Sequence, residues 1–304
     1  MAPSKESGAL AELFKSFAQN FPDDGNVYKQ RAIYDQVHKA ASEAPGVSYE
    51  DIHIAGGIPC KWVRPEGASK KHAIVFMHGG GFSFGSTNGH RKLAAHLAKA
   101  CNCLALSVEY RLTPEHVYPA ALDDCVTAYQ WLLDQGFEAK NIVTAGDSCG
   151  GGLSTTVPLA AVKRGLPKPG AAVSISPWYD LTGAGETMTI NEANDVLNTK
   201  PFVAELAKRY TKNAKMEDPL ISALFASEDE LRQLPPHWIS AGGYDMLLDN
   251  ATRFAEKAKK AGLEVVLEIQ EGQQHVMEFM AGMAPEADES LRKIGEWVRQ
   301  RIGS

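Results

Sequence analysis

The feature that most constrains the fold of this chain is a repeated alternation of short apolar runs with helical patterns. Six β-like runs follow one another between residues 72 and 272, among them "HAIVFMHGG", "NIVTAGDS" and "EVVLEIQEG". Several are nearly continuous in apolar residues, which is typical of strands buried on both faces. Helical patterns such as "NGHRKLAAHLAKA" and "ESLRKIGEWVRQRI" separate most of them. This order predicts an α/β fold with a mostly parallel sheet and crossover helices.

Three other regions complete the predicted architecture. "VSYEDIHIA" and "IPCKWVRP" alternate around "GG" and predict a hairpin. Residues 181–230 are too long and too helical for a simple connection, so they predict an insertion over the carboxyl edge of the sheet. The N-terminal stretch has one apolar helical face, formed by Leu10, Leu13, Phe14, Phe17 and Phe21. We expect N-terminal cap helices in residues 1–45, a catalytic domain in 46–180 and 231–304, and an inserted cap segment in 181–230.

Composition narrows the classes of partner. Of the 304 residues 44% are hydrophobic, and the formal net charge is −6 with acids and bases mixed along the chain. The absence of a basic stripe argues against a nucleic-acid partner. No stretch approaches the ~20 apolar residues of a membrane span. Five cysteines at irregular spacing and a start without a secretory pattern predict free thiols and a cytoplasmic location.

The stretch "NIVTAGDSCGGGL" predicts a nucleophile elbow. A buried strand runs into the pattern G-x-S-x-G, and more glycines lead into a helix. At such a tight turn the central Ser148 is held in a strained conformation with its side chain projecting from the sheet. The Cys149 side chain cannot share that direction, so Cys149 is expected to offer its backbone N–H, at the amino end of the helix.

An attacking serine requires a histidine base and an acid, which follow it along the chain in elbow folds. Only His275 lies well beyond residue 240, directly after the last β-like run. Asp245 follows the end of a strand and is favoured as the acid over Asp249, which we interpret as a helix N-cap. The other histidines are interpreted as structural or surface residues, with His90 and His96 on the surface of a helix.

A second glycine-rich stretch, "FMHGGGFSFGS", predicts donors for the oxyanion of the tetrahedral intermediate. It follows a strand, and the N–H groups of Gly79 and Gly80 are free of side-chain obstruction. The alternative, a phosphate-binding loop, lacks the Lys-Ser/Thr that would follow the glycines. The predicted oxyanion hole therefore consists of the N–H groups of Gly79, Gly80 and Cys149.

As a set, these motifs resemble the hormone-sensitive-lipase family of HGGG-type α/β-hydrolase esterases. The stretches that carry the resemblance include "HGGGF", "YRLTPEHVYPAALDD", "GDSCGGGL", "SPWYDLT", "DPLIS" and "QEGQQH". The resemblance implies an eight-stranded α/β-hydrolase fold with a helical cap and a triad of Ser148, Asp245 and His275. It also implies hydrolysis of short acyl esters without a cofactor, and in many members a homodimer. Within the family the chain is most similar to the group that includes monoterpene ε-lactone hydrolases.

Two departures from the family pattern lie near the predicted site. Relatives usually have alanine at position 149, and usually a Gly or Pro-type residue two before the histidine, where this chain has Gln273 and then Gln274. Both changes are expected to alter the pocket without touching the triad. We also expect bulky reagents on the Cys149 thiol to obstruct the reaction path.

The substrate pocket and the reaction leave alternatives open. Four aromatic residues near strand ends are candidates either for the pocket wall or for packing under the cap: Phe82, Trp178, Tyr179 and Phe279. A lactone hydrolase or an acyltransferase would use the same triad, and a non-catalytic small-molecule receptor would use the same fold. A thiol function of Cys149 is the remaining rival, and no ligand spacing predicts a metal.

Overall fold

The computed structural model describes residues 3–22 and 25–304, and a single eight-stranded sheet organises them. The strands are β1 (Val47–His53), β2 (Pro59–Pro65), β3 (Ser69–Met77), β4 (Cys103–Val108), β5 (Ile142–Asp147), β6 (Ala171–Ile175), β7 (His237–Gly242) and β8 (Val265–Gln270). Their spatial order is β1-β2-β4-β3-β5-β6-β7-β8. The β1–β2 and β2–β4 pairs are antiparallel, and all others are parallel. The predicted hairpin and the mostly parallel eight-stranded sheet are therefore confirmed.

Ten α-helices lie among the described residues, and most connect consecutive strands. They are α1 (Gly8–Asn20), α2 (Val27–Tyr34), α3 (Arg91–Ala100), α4 (Ala120–Asp134), α5 (Cys149–Lys163), α6 (Thr187–Ile190), α7 (Lys200–Thr211), α8 (Glu228–Arg232), α9 (Leu248–Lys260) and α10 (Pro285–Ile302). None of them, over residues 3–22 and 25–304, has both the length and the apolarity that a membrane crossing requires. The helices predicted from the apolar periodicity after residue 90 are α3, α4, α9 and α10.

Apolar clusters on the two faces of the sheet hold these helices in place. One cluster joins α3 and α10 to the sheet and extends to α1 through Leu10, Phe14 and Phe17. A second cluster joins α4, α5 and α7, and a third joins α9 to β7 and β8. A sheet covered on both faces requires strands that are apolar on both sides, and β4, β5, β6 and β7 are buried at every position.

The segments expected to form the cap contain α1, α2, α6 and α7. Helix α7 begins where the Thr199 side chain accepts the N–H of Phe202, and Pro201 occupies the first turn. The expected boundary at residue 230 falls inside α8, whose Leu231 belongs to the cluster around α9. The division into cap and catalytic domain stays a prediction.

Parallel topology brings five strand ends to one edge of the sheet. The HGGG stretch follows β3, Ser148 follows β5, Trp178 follows β6, Asp245 follows β7 and His275 follows β8. Because functional groups of parallel sheets collect at the carboxyl ends of the strands, this edge is where a site is expected.

A close contact between α10 and α3 generates the first prediction. A Cβ atom added at Gly295 would lie 2.3 Å from the Ala100 carbonyl oxygen at the end of α3. Alanine favours a helix over glycine by about 1 kcal/mol, but this overlap forces the two helices apart. We expect Gly295→Ala to lower the free energy of unfolding by about 1–3 kcal/mol, measured by urea denaturation. The matched control is Gly8→Ala, which meets no atom within 4 Å. A Gly295→Ala variant as stable as the parent would contradict the expectation.

Candidate active site

Ser148 occupies the sharp turn between β5 and α5, as the elbow pattern predicts. Its φ of 55° and ψ of −121° lie in a region that side-chain-bearing residues rarely adopt. A Cβ atom at Gly146 or Gly150 would come within 2.3 Å or 2.0 Å of the Met77 carbonyl oxygen. Only glycine fits at both positions, so the turn is closed tightly enough to project Ser148 above the strand.

Asp245 and His275 form a short, buried pair. His275 Nδ1 lies 2.6 Å from Asp245 Oδ2, and Asp245 Oδ1 accepts the N–H of Leu247. His275 is 3% exposed. Burial opposes charge on the imidazole, but the Asp245 carboxylate outweighs it and raises the pKa of His275. Ser148 and His275 line the same cavity, so the structure brings all three predicted triad residues to one place.

The alternative acid, Asp249, lies elsewhere and has another role. The N-cap of α9 is Leu247, and Asp249 lies in the first turn instead of capping the helix. Its Oδ2 accepts the N–H of Thr187 from α6. Its interpretation as an N-cap was wrong, because the Asp245 turn continues directly into the helix. Asp249 links the helix to the insertion.

Gly79 does not fit its predicted role as an oxyanion donor. Its N–H already donates to Asp147 Oδ1 at 3.1 Å, and the residue does not line the cavity. Gly80 and Gly81 do line it, beside Ser148. This geometry favours Gly80 and Gly81 over Gly79 as candidate donors, because a buried carboxylate already accepts the Gly79 N–H. Cys149 is the first residue of α5, where backbone N–H groups lack partners within the helix.

The Cys149 thiol lies beneath the oxyanion loop, here residues 79–82, and not in the cavity. Its sulfur accepts the N–H of Phe82 at 3.3 Å, and the Tyr110 hydroxyl lies 3.7 Å away. The residue is fully buried, and burial raises the pKa of the thiol to about 12. The expected obstruction by thiol reagents is not supported, because a protonated and inaccessible sulfur reacts poorly. This thiol fills a space below the loop instead.

The surface position that the sequence pattern predicted for His90 is wrong. His90 is fully buried, not on the surface, and its Nε2 lies 3.4 Å from Asp147 Oδ2. Its ring packs against Phe279 at 5.3 Å and Tyr34 at 6.2 Å between centroids. Burial opposes charge on His90, but Asp147 outweighs it and raises the pKa of His90. Its position at the start of α3 looks exposed in a helical pattern, but Asp147 and the aromatic rings enclose it.

The cavity above Ser148 has a volume of about 240 Å³ and an aromatic wall. Phe21 at the end of α1, Phe84 and Phe202 of α7 meet there, with centroids 5.5–6.1 Å apart. The other aromatic residues of the wall are Phe14, Phe17, Tyr34 and Trp178. The wall thus combines the N-terminal helix, the segment after β3 and the insertion.

Of the four aromatic residues proposed for the pocket, only Trp178 lines it. Phe82 stacks on Tyr210 at a centroid distance of 3.6 Å, and Phe279 packs against His90. Tyr179 is fully buried, with its hydroxyl hydrogen-bonded to Ser174 and Thr155. These three follow strand ends or functional residues in sequence, but their side chains turn into the interior. Phe202, Val203 and Leu206 of α7 line the cavity wall instead. Their spacing along one face of a helix could have indicated this from the sequence.

A double-mutant cycle tests the His90–Asp147 pair. His90→Phe keeps a ring but removes the charge, and Asp147→Asn keeps the acceptor for Gly79. We expect each change to lower the free energy of unfolding by about 3–5 kcal/mol, because it leaves a buried group unpaired. The double variant should cost less than the sum by about 0.5–3 kcal/mol in urea denaturation. His53→Phe, on an exposed strand end, is the control. Strict additivity would show that the two residues do not act as a pair.

Comparison with known proteins agrees with this geometry. A family model described as the alpha/beta hydrolase fold matches residues 74–279. The acetyl-hydrolase of Streptomyces hygroscopicus is 33% identical over 280 residues, which are 92% of each chain. The esterase of Acinetobacter venetianus is 33% identical over 269 residues, 88% of this chain and 87% of its own. A crystal structure of an esterase from the bacterial hormone-sensitive lipase family has a TM-score of 0.93 at 33% identity over 100% of both chains. The chain belongs to the hormone-sensitive-lipase family of α/β-hydrolase esterases.

Proposed function

We propose that this chain is a serine carboxylesterase that hydrolyses esters of short acyl chains, with Ser148 as nucleophile, His275 as base and Asp245 as its partner. The observation that carries the proposal is the 2.6 Å pair of Asp245 and His275 at the same cavity as Ser148 on its strained turn. A paired and buried imidazole next to a projecting serine is the arrangement that activates a hydroxyl for acyl transfer.

The residues assign each step of the reaction. Ser148 Oγ attacks the ester carbonyl carbon while His275 takes the hydroxyl proton, and Asp245 stabilises the imidazolium that forms. The carbonyl oxygen becomes an oxyanion facing the N–H groups of Gly80, Gly81 and Cys149. The C–O bond of the ester then breaks, and the alcohol leaves with the proton from His275. Water attacks the acyl-enzyme with the same proton transfers, and the acid is released from Ser148.

The cavity favours small, apolar acyl groups. Its volume of about 240 Å³ lies below the roughly 300–1,000 Å³ typical of drug-sized ligand sites. Its wall is mostly aromatic and aliphatic, with Asn198 and Thr199 among its polar members. The name of the Streptomyces relative, an acetyl-hydrolase, supports a short acyl chain here too.

Related functions use the same machinery and stay predictions. Lactone opening differs only in that the leaving alcohol remains attached to the acyl chain, and acyl transfer only in the acceptor that replaces water. A non-catalytic receptor would not need His275, which is present and paired here. The expected homodimer also stays a prediction. All five cysteines are free and buried, which supports the proposal of a reducing, cytoplasmic location.

Replacement of the nucleophile is the direct test. We expect Ser148→Ala to lower kcat on p-nitrophenyl acetate by at least about 10⁴-fold, because no acyl-enzyme can form. Circular dichroism and the melting temperature should match the parent enzyme, since Ser148 is a small side chain at the cavity. Ser48→Ala on the exposed part of β1 is the matched control and should keep full activity. Substantial turnover by Ser148→Ala would refute the assigned nucleophile.

The wall residue Leu206 generates a prediction about chain length. A Cβ atom at Gly81 would lie 2.4 Å from Leu206 Cδ1, so this side chain closes the cavity directly over the oxyanion loop. Leu206→Ala removes that closure, and we expect the ratio of kcat/KM for p-nitrophenyl octanoate to acetate to rise at least about 10-fold.

The control for this experiment is Glu205→Ala, the exposed neighbour on the same helix. The thermal unfolding of both variants should be recorded, because a buried Leu→Ala change typically costs about 2–5 kcal/mol. A folded Leu206→Ala enzyme with the chain-length profile of the parent would exclude Leu206 as a limit of the acyl pocket.

A further inference from the structure

Three polar side chains join one loop of the insertion to both loops that carry the histidine–acid pair. We call residues 191–199 the cap loop. Asn191 Nδ2 donates to the carbonyl oxygens of Gly243 and Asp245 at 3.0 and 2.8 Å. Asp195 Oδ2 accepts the N–H of Met246 at 2.9 Å. The cap loop is therefore hydrogen-bonded on both sides of the acid.

Gln274 makes the corresponding link to the histidine. Its Nε2 donates to the Asn194 carbonyl oxygen at 2.9 Å, and its Oε1 accepts the N–H of Val196 at 3.2 Å. Gln274 directly precedes His275 in the chain. An alanine at this position could form neither bond.

The same cap loop forms part of the cavity wall. Leu197, Asn198 and Thr199 line the cavity. The second oxygen of Asp195, Oδ1, accepts the N–H groups of Leu197 and Asn198 at 2.9 and 2.8 Å. Oδ2 accepts the Asn198 side-chain amide at 3.1 Å as well as the Met246 N–H, so one carboxylate is bonded both to the cavity wall and to the loop of Asp245.

Asp195 is a second buried acid, hydrogen-bonded to the loop that carries Asp245. It is 7% exposed, and no Lys or Arg side chain pairs with it within the described part of the chain. Burial and repulsion by Asp245 raise the pKa of Asp195, while His275 acts in the opposite direction. The negative charges of Asp245, Asp195 and Asp147 all favour the charged form of His275.

We propose that Asp195 is a positioning residue that fixes the cavity wall to the acid loop and electrostatically stabilises the charged form of His275, and that Gln274 ties the same loop to the histidine. The inference rests on the proposed esterase function. It gives the cap loop a part in aligning the triad. The cavity wall that receives the acyl group is then hydrogen-bonded to the loops that carry Asp245 and His275. An imidazolium forms in both halves of the reaction, so a second negative charge helps both.

The test compares Asp195→Asn with Glu192→Gln. Asparagine keeps the shape of the side chain but removes the negative charge. It also places an NH₂ group where one carboxylate oxygen accepts hydrogen bonds from backbone N–H groups. Glu192→Gln removes the same charge from the same loop at the surface, where Glu192 pairs with Lys200. The measurements are kcat and the pH dependence of kcat/KM for p-nitrophenyl acetate.

Two results together are expected for Asp195→Asn. We expect kcat to fall about 10-fold, and we expect the acid limb of kcat/KM to move to lower pH. The acid limb moves in this direction because His275 must be uncharged to act as a base, and loss of a neighbouring negative charge lowers the pKa of His275. Glu192→Gln should change neither quantity. A fall in kcat with an unmoved acid limb would reduce Asp195 to a packing role and overturn the electrostatic proposal.

Gln274→Ala provides an independent test if Asp195→Asn does not fold. It removes both links to the cap loop and no charge, so kcat should fall about 10-fold while the acid limb stays in place. Unchanged kcat in folded Gln274→Ala would overturn the proposed link. Labelling of Ser148 by phenylmethylsulfonyl fluoride in the parent enzyme separates this outcome from a failure of the esterase proposal, since that labelling requires an activated serine but no particular cap loop.

Discussion

The arrangement of this site depends on one buried carboxylate, that of Asp147, directly before the nucleophile. It accepts the Gly79 N–H and faces the His90 imidazole, so it joins the oxyanion loop after β3 to the turn after β5. The nucleophile and the oxyanion donors must keep a fixed spacing, because donors stabilise the intermediate only at hydrogen-bond distance. Hydrogen bonding between the two strands cannot provide this by itself, since the loops begin where the strands end. A buried carboxylate that contacts both the Gly79 N–H and the His90 ring supplies the constraint.

The sheet order explains how residues far apart in sequence reach this point. Strands β3 and β5 are neighbours although β4 lies between them in the chain, so the HGGG stretch and Ser148 come from adjacent strands. Strands β7 and β8 are adjacent too, which brings Asp245 and His275 together. The loop after β8 brings His275 to the cavity of Ser148, past the ends of β7 and β6. The strand order brings the site residues to one edge of the sheet, and the loops after the strands set their final positions.

Local patterns predict much of this arrangement from the sequence. The eight strands, the elbow and the pair of Asp245 and His275 depend on short runs of residues and on chain order, and all of them occupy the predicted positions. The errors concern side chains whose environment is set by distant residues. Gly79 and Gly80 look equivalent in sequence, but Asp147 takes the N–H of the first. His90 lies in an amphipathic pattern, yet the aromatic rings of Tyr34 and Phe279 enclose it. Whether an aromatic residue after a strand lines the cavity, as Trp178 does, or packs in the core, as Tyr179 does, is decided by packing.

The aromatic wall has a consequence for the synthesis of the protein. Phe21 and Phe84 precede Ser148 along the chain, while Phe202 and His275 follow it. A growing polypeptide therefore displays the Ser148 hydroxyl without a base and without an enclosed acyl site. Hydrolysis of an ester therefore reports that these separate segments have come together around one cavity, so catalytic turnover serves as a sensitive measure of folding.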